Sequence, residues 1–265
     1  MATRSRPSSL LRSVALPAEH GGWGFTLEPI LLGLALAPSV AGLGVGIMGL
    51  FAFLAHHPVK LALSDLRRGH RYPRTQLAIR VGLFYSLIAA LGLALALATA
   101  EKPFLTPLLL GLPLAFLKVL LDALGRGRSF LAEMAGALGA ATLAPAAVLA
   151  GGGDPEWALG SWLVLALRSL VSIRFARAAV RRARGQEISL ASVAATVLLG
   201  SALALALALA GLIPWLGAAA IWALGVYALA VLKAPPLPAK KIGWGQMFWG
   251  WATVVLVALG YHLEL

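Results

Sequence analysis

The sequence predicts an all-α, polytopic membrane protein with about nine transmembrane helices. Of its 265 residues, 60% are hydrophobic and 12% are charged, whereas about 25% of the residues of a soluble domain are charged. Apolar runs of roughly 20 residues, enough to cross about 30 Å of hydrocarbon, recur along the chain. These runs are continuous and rich in Leu and Ala, which favours helices over the alternating strands of a membrane barrel.

Nine spans are predicted, with short links between them. Residues 1–21 are interpreted as a basic cytoplasmic segment and residues 22–265 as one nine-helix transmembrane domain. The basic segment has no long apolar core before a small-residue site, so we do not expect a cleaved signal peptide. The chain has no Cys, which excludes disulfides and thiolate metal sites. The predicted spans are 22–41, 43–63, 77–99, 103–122, 130–150, 157–181, 189–211, 213–234 and 243–262.

Lys and Arg alternate between successive links. The N-terminal tail and the links after spans two, four, six and eight are basic, whereas the intervening links contain only Lys102. Basic loops stay in the cytoplasm, so this pattern predicts a cell inner membrane protein with the N-terminus inside and the C-terminus outside. The net charge of +12 is therefore explained by loop retention and anionic membrane lipid, and nucleic acid is not expected as a partner.

Polar residues cluster at the end of span two. On a helix, His56 and Lys60 share one stripe, while His57 and Arg68 lie on a neighbouring stripe. Such groups are expected to face the bundle interior or a water-filled cavity, because lipid tails do not solvate them. Snorkelling to the head groups is the alternative for Lys60 and the terminal arginines. It fits the short side chains of His56, His57 and Asp65 less well.

Span six carries the most informative single residue. Arg174 and Arg177 recur at helical spacing near its end, while Arg168 lies about 9 Å deeper at about 1.5 Å per residue. A guanidinium at that depth needs a carboxylate, carbonyl groups, water or an anionic ligand around it. The sequence leaves two alternatives open: an ion pair with an acid such as Glu28 or Glu133, or a bound anion. For Arg177 the alternative is a solvated helix end.

Two further groups complete the candidate site. Lys118, Asp122 and Arg126 follow each other at intervals of four residues on span four, and can pair among themselves or face the other basic clusters. His20, beside Glu19 at the start of span one, is compatible with ligand binding or proton transfer. The ten acidic residues form no carboxylate cluster suited to Mg²⁺. No metal site is predicted, and the sequence does not define a cofactor.

The sequence resembles the YwiC-like family of bacterial membrane proteins. The resemblance is carried by PAEHGGW at the start of span one, by RRGHR followed by RT at the end of span two, and by the arginine-rich end of span six. More distantly, nine spans with polar sites at the ends of spans two and six are similar to the UbiA superfamily of intramembrane prenyltransferases. That resemblance implies a UbiA-like helical bundle.

The UbiA resemblance also implies roles for individual residues. Asp65, Arg74 and Thr75 match the first diphosphate-binding region, and Lys118 and Arg126 fall where the superfamily places basic diphosphate contacts. The remaining acids of the first motif are replaced by Ala62, Arg68 or Gly69. The second acidic motif is replaced by Arg174, Arg177 and Arg181. These replacements argue against Mg²⁺-dependent prenyl transfer, since arginines would contact the anion directly.

The leading hypothesis is a membrane protein that binds an anionic, isoprenoid or lipid-like diphosphate ligand in a cytoplasm-facing cavity. Catalysis is left open; in a prenyltransferase-like reaction, His56, His57 and Asp65 would handle protons. One alternative is a small-anion transporter or channel with Arg168 at the midplane, and the other is a membrane scaffold without a ligand. The candidate ligand-binding residues are His20, Lys60, Arg68, Arg74, Lys118, Arg126, Arg168, Arg174 and Arg177.

Overall fold

A computed structural model describes residues 7–17, 20–69 and 72–264, with side chains from residue 10 in the first range and residue 22 in the second. Within these residues the chain is helical and contains no strand. The element order is α1 (Pro7–Ala15), α2 (His20–Leu36), α3 (Val40–Arg67), α4 (Pro73–Thr99), α5 (Leu105–Ala123), α6 (Phe130–Ala141), α7 (Leu143–Ala150), α8 (Pro155–Ala183), α9 (Leu190–Leu209), α10 (Trp215–Lys233) and α11 (Ala239–His262).

The helices confirm an all-α, multi-pass membrane protein. Seven are long and apolar enough to cross a membrane, with α6 and α7 taken together as one: α3, α4, α5, α6 with α7, α9, α10 and α11. The shorter α2 and the arginine-rich α8 occupy the other two predicted spans. The predicted number of nine crossings therefore stays a prediction for these two helices. Large apolar side chains such as Leu83, Leu110 and Leu198 face outward, as lipid contact requires.

The fifth predicted span is divided into two helices. Continuous helix was expected over residues 130–150, but the helix is interrupted at Thr142. Pro145 causes the break, because it has no N–H for the carbonyl of Ala141, four residues earlier. At the break, the Thr142 hydroxyl donates to the Gly139 carbonyl at 2.7 Å.

Helix α8 lies at the centre of the bundle and packs against α2, α6, α7, α9, α10 and α11. Its apolar residues, including Val164, Val171 and Phe175, are fully buried in the main core. Because α8 is surrounded, its polar side chains meet protein rather than lipid. This position explains how an arginine is accommodated halfway along the helix.

Helix α1 was not anticipated by the sequence analysis. Val14 is buried against Ala62 of α3 and Ala78 of α4. The carbonyl of Ser13 lies 3.0 Å from His57 Nε2, and the hydroxyl of Tyr85 donates to the carbonyl of Ala15 at 3.3 Å. The end of the basic N-terminal segment is therefore docked on the bundle.

Candidate functional site

One buried carboxylate gathers three basic side chains from α3 and α5. Asp122 Oδ2 lies 3.0 Å from His56 Nε2, while Asp122 Oδ1 lies 3.4 Å from Lys60 Nζ and 3.0 Å from Lys118 Nζ. Only 6% of the Asp122 side chain is exposed, against 49% for Lys60 and 22% for Lys118. The carboxylate is thus buried beneath ammonium groups that solvent or a ligand can reach.

The link between α5 and α6 brings α8 to the same place. Lys118 Nζ donates to the carbonyl of Gly127 at 3.1 Å, and Arg177 Nη1 donates to the next carbonyl, that of Arg128, at 2.7 Å. Arg177 also pairs with Glu133 of α6 at 3.0 Å. Lys118 and Arg177, which are far apart in sequence, therefore bind adjacent carbonyls of one short loop, and Lys60 lies beside Lys118 at Asp122, near the end of α5.

Arg174 completes this group. Its guanidinium lies 5.9 Å from the ring centre of Phe130, the first residue of α6, and also donates to the Ser192 hydroxyl at the start of α9. We name the five residues His56, Lys60, Lys118, Arg174 and Arg177 the α6 basic cluster.

The α6 basic cluster carries an excess of positive charge. Its four permanent cations share two carboxylates, Asp122 and Glu133. The start of α6, where Ser129 accepts a hydrogen bond from the Ala132 N–H, adds the partial positive charge of a helix N-terminus. Guanidinium and ammonium groups with this excess are suited to phosphate or carboxylate oxygens.

Arg168 lies elsewhere, deep between α2, α8 and α11. Its Nη2 lies 2.8 Å from Glu28 Oε1 and donates to the backbone carbonyl of Gln246 at 3.0 Å. Its guanidinium is 4.9 Å from the ring centre of Phe25. The side chains of Arg168 and Glu28 are 2% and 3% exposed. Of the two alternatives that the sequence left open, the geometry places Arg168 against an acid, and that acid is Glu28.

Two glycines make room for this ion pair. A Cβ atom on Gly250 would lie 1.9 Å from Glu28 Oε1 and 2.7 Å from Arg168 Nη2. A Cβ on Gly24 would lie 3.0 Å from the same carboxylate oxygen. Helices α2 and α11 therefore approach α8 closely here because these positions lack side chains.

Asp65 and Arg74 are engaged with each other at the turn between α3 and α4. Arg74 donates to both oxygens of Asp65, from Nη2 at 2.8 Å and from Nε at 3.1 Å. The Thr75 hydroxyl donates to Asp65 Oδ2 at 2.8 Å, and accepts from the Tyr72 N–H at 3.1 Å. Both oxygens of Asp65 thus hold the turn in place, and its predicted role in proton transfer stays a prediction.

The remaining predicted residues lie outside the α6 basic cluster. His57 faces the Ser13 carbonyl, and Arg68 and Arg126 are exposed. The side chain of His20 lies outside the described residues. Their predicted ligand contacts stay predictions. In the part of the chain that the structure describes, no group of three or more His, Asp or Glu side chains is arranged to hold a metal ion.

Sequence reasoning missed Asp122 as the centre of a site. Lys118 and Asp122 were recognised as an i, i+4 pair that can face the other basic clusters, but the contacts of Asp122 with His56 and Lys60 were not predicted. Ser172 and Gln246, beside Arg168, were also missed. The only indication of them in the sequence is helical spacing, which puts residues one turn apart on the same face. Ser172 is one turn from Arg168, and Gln246 is one turn from Gly250.

Asp65→Leu is expected to loosen the turn between α3 and α4, since it removes the acceptor of three hydrogen bonds. Trypsin cleavage in residues 67–74 is expected to become faster, and the melting temperature to fall. Asp65→Asn, which keeps one acceptor oxygen, is expected to fall between Asp65→Leu and the unchanged protein. Equal cleavage rates for all three proteins would contradict this role.

The comparison with protein families agrees with the motifs at the start of span one and the end of span two. A family model described as YwiC-like protein matches residues 16–148, half of the chain. This segment contains Glu28, the turn between α3 and α4, and Asp122, and ends before α8. No curated protein and no solved structure matches the chain. The protein belongs to the YwiC-like family.

Proposed function

We propose that this protein binds an anionic, lipid-like ligand at the α6 basic cluster, on the cytoplasmic side of the membrane. The observation that carries the proposal is the convergence of Lys118 and Arg177 on the link between α5 and α6, with Lys60 beside Lys118 at Asp122. Two carboxylates do not balance the cations of the cluster. A phosphate or diphosphate group would supply the missing negative charge and accept charge-assisted hydrogen bonds.

The position of the cluster supports a ligand from the membrane. It lies at the C-terminal ends of α3, α5 and α8, which border the basic links that predict the cytoplasmic face. An apolar groove of about 190 Å³ between α3 and α4 begins at Val59, beside Lys60, and continues along Leu63 and Leu66. Val59, Leu63 and Ile79 are exposed along this groove, so lipid can contact the bundle beside Lys60.

The UbiA-like arrangement belongs to this proposal. In that superfamily the ends of helices two and six bind an isoprenoid diphosphate. Here the end of α3 contacts α5 at Asp122, and the end of α8 contacts α6 and the link between α5 and α6. An isoprenoid diphosphate is therefore our preferred ligand. If the protein is a prenyltransferase-like enzyme, His56 is the member of the α6 basic cluster able to exchange a proton near neutral pH. Arg168 is assigned a separate role below.

The test is ligand retention during purification. The full chain is extracted with its surrounding lipid in polymer nanodiscs, and bound lipids are identified by mass spectrometry. We expect enrichment of an anionic lipid or isoprenoid over the bulk membrane. The Lys60→Gln/Lys118→Gln variant is expected to reduce that enrichment about tenfold or more, because each lost charge-assisted hydrogen bond contributes about 1.5–3 kcal/mol.

The matched control is Lys240→Gln/Lys241→Gln. These lysines are exposed at the start of α11, so the control removes the same charge outside the cluster. We expect it to retain the ligand. An equal loss in both variants would indicate general attraction of anionic lipid, and no enrichment in the unchanged protein would reject the proposal.

A further inference from the structure

A second polar site lies inside the bundle, where α2, α8 and α11 meet. Among the described residues, five buried side-chain atoms of α8 and α11 have neither a hydrogen-bond partner nor an ion pair: Arg168 Nε, Arg168 Nη1, Ser172 Oγ, Gln246 Nε2 and Gln246 Oε1. A buried polar group without a partner costs about 1–3 kcal/mol. Five such atoms on Arg168, Ser172 and Gln246 indicate a site for a polar ligand.

The donors at this site suit a small oxyanion. Arg168 is 2% exposed and uses Nη2 for Glu28 and for the Gln246 carbonyl, while its Nε and Nη1 remain available as donors. Ser172 lies one turn along α8 on the same face. The amide of Gln246, one turn from Gly250 on α11, is a further donor.

The net charge of the site limits how an anion can bind there. The pair of Glu28 and Arg168 is neutral, so an added anion alone would leave one negative charge in the bundle interior, which costs several kcal/mol. On the helices packed against α2 and α8, the hydroxyl of Tyr227 faces Gly245, next to Gln246. Several charged or titratable groups of the described residues have partners elsewhere. His56 and Lys60 pair with Asp122, Asp65 pairs with Arg74, and Glu133 pairs with Arg177. His57 contacts the Ser13 carbonyl, Arg182 donates to the Leu232 carbonyl at the end of α10, and His262 contacts the Ala35 carbonyl.

We propose that this site binds a small monovalent oxyanion together with one proton. The Glu28 carboxylate takes a proton from a hydronium ion of the solvent, which leaves as water, and becomes a neutral acid. The Arg168 guanidinium keeps its charge and pairs with the anion in place of Glu28. The site is neutral before and after binding, and no bond other than the O–H bond of Glu28 is formed.

The test uses potassium nitrate as the probe and the full chain in nanodiscs. Stabilisation against thermal unfolding, measured by calorimetry as nitrate is titrated, gives the affinity at each pH. One proton bound with each anion predicts that the affinity rises about tenfold for each unit of decrease in pH while Glu28 is ionised in the anion-free protein. Sulfate, whose second charge one proton cannot balance, is expected to give no comparable effect.

Glu28→Gln is expected to bind nitrate with an affinity that does not change with pH, because the neutral amide replaces the protonated acid. Glu133→Gln makes the same change at the partly exposed pair with Arg177. In this variant the affinity for nitrate is expected to keep its dependence on pH. Lys60→Gln/Lys118→Gln is also expected to keep it, which separates this site from the α6 basic cluster. If Glu28→Gln does not fold, Gln246→Leu is expected to weaken nitrate binding at every pH.

Two results would overturn the proposal. One is the absence of saturable nitrate binding by the unchanged protein between pH 5 and 8. The other is an affinity that is independent of pH in the unchanged protein, or equally pH-dependent in Glu28→Gln.

Discussion

Arg168→Met is expected to destabilise the protein by about 3–5 kcal/mol, since removing one partner of a buried ion pair leaves the other charge uncompensated. Arg168 is 2% exposed, and Glu28, its partner at 2.8 Å, is 3% exposed. Methionine fills part of the space of the arginine side chain, so the decrease in the free energy of unfolding comes mainly from removal of the positive charge. Reversible unfolding in mixed micelles, titrated with a denaturing detergent, measures this free energy.

The double variant Glu28→Leu/Arg168→Met tests the origin of the effect. Replacing both members of a buried pair with apolar side chains is often neutral or stabilising. We therefore expect the double variant to recover most of the stability that the single variant loses. Arg177→Met is the control, because its pair with Glu133 is about one-third exposed, and its expected cost is below about 1 kcal/mol. A double variant no more stable than Arg168→Met would contradict this explanation.

Gly44→Leu is expected to destabilise the protein by about 3 kcal/mol. A Cβ at Gly44 would lie 2.7 Å from the backbone nitrogen of Ala96 and 2.7 Å from the carbonyl oxygen of Gly92. These are backbone atoms of α4, so relief requires α3 and α4 to separate. Overpacking of this kind costs about 1–3 kcal/mol or more, which exceeds the gain of about 1 kcal/mol in helix propensity.

The reciprocal change, Gly92→Leu, is expected to have a similar effect, because its Cβ would lie 2.7 Å from the backbone nitrogen of Met48. Gly243→Leu in α11 is the matched control, since nothing lies within 4 Å of a Cβ there. It is expected to be neutral or slightly stabilising in the same unfolding measurement. If Gly243→Leu lowered the free energy of unfolding as much as Gly44→Leu, the effect would come from leucine in general rather than from a packing clash.

The positions of the long helices follow closely from the sequence. A span needs a continuous apolar run, and that is a local property of the chain. Helix α3 nevertheless continues to Arg67, beyond the predicted end at residue 63, and α4 begins at Pro73 rather than at residue 77. Polar residues extend both helices because Asp65 finds partners in Arg74 and Thr75 across the turn.

The candidate site could be predicted only in part. The spacing of Arg174 and Arg177 and the basic end of span two predicted that these cations lie near one face. The depth of Arg168 also indicated that it needed a partner. Which acid would pair with which arginine did not follow, because Glu28 is separated from α8 by five helices and Glu133 by one, and sequence distance does not show which helices pack together. Helix packing assigns Glu28 to Arg168 and Glu133 to Arg177.

Apolar run length and the distribution of Lys and Arg, read from the sequence, determined that this is a helical membrane protein and predicted its orientation, because lipid acts on each segment separately. Tertiary structure decided that Asp122 joins His56, Lys60 and Lys118, that the link between α5 and α6 reaches Arg177, and that Glu28 faces Arg168. These contacts join residues up to 140 positions apart. They depend on side chains of different helices meeting in space, which no local pattern specifies.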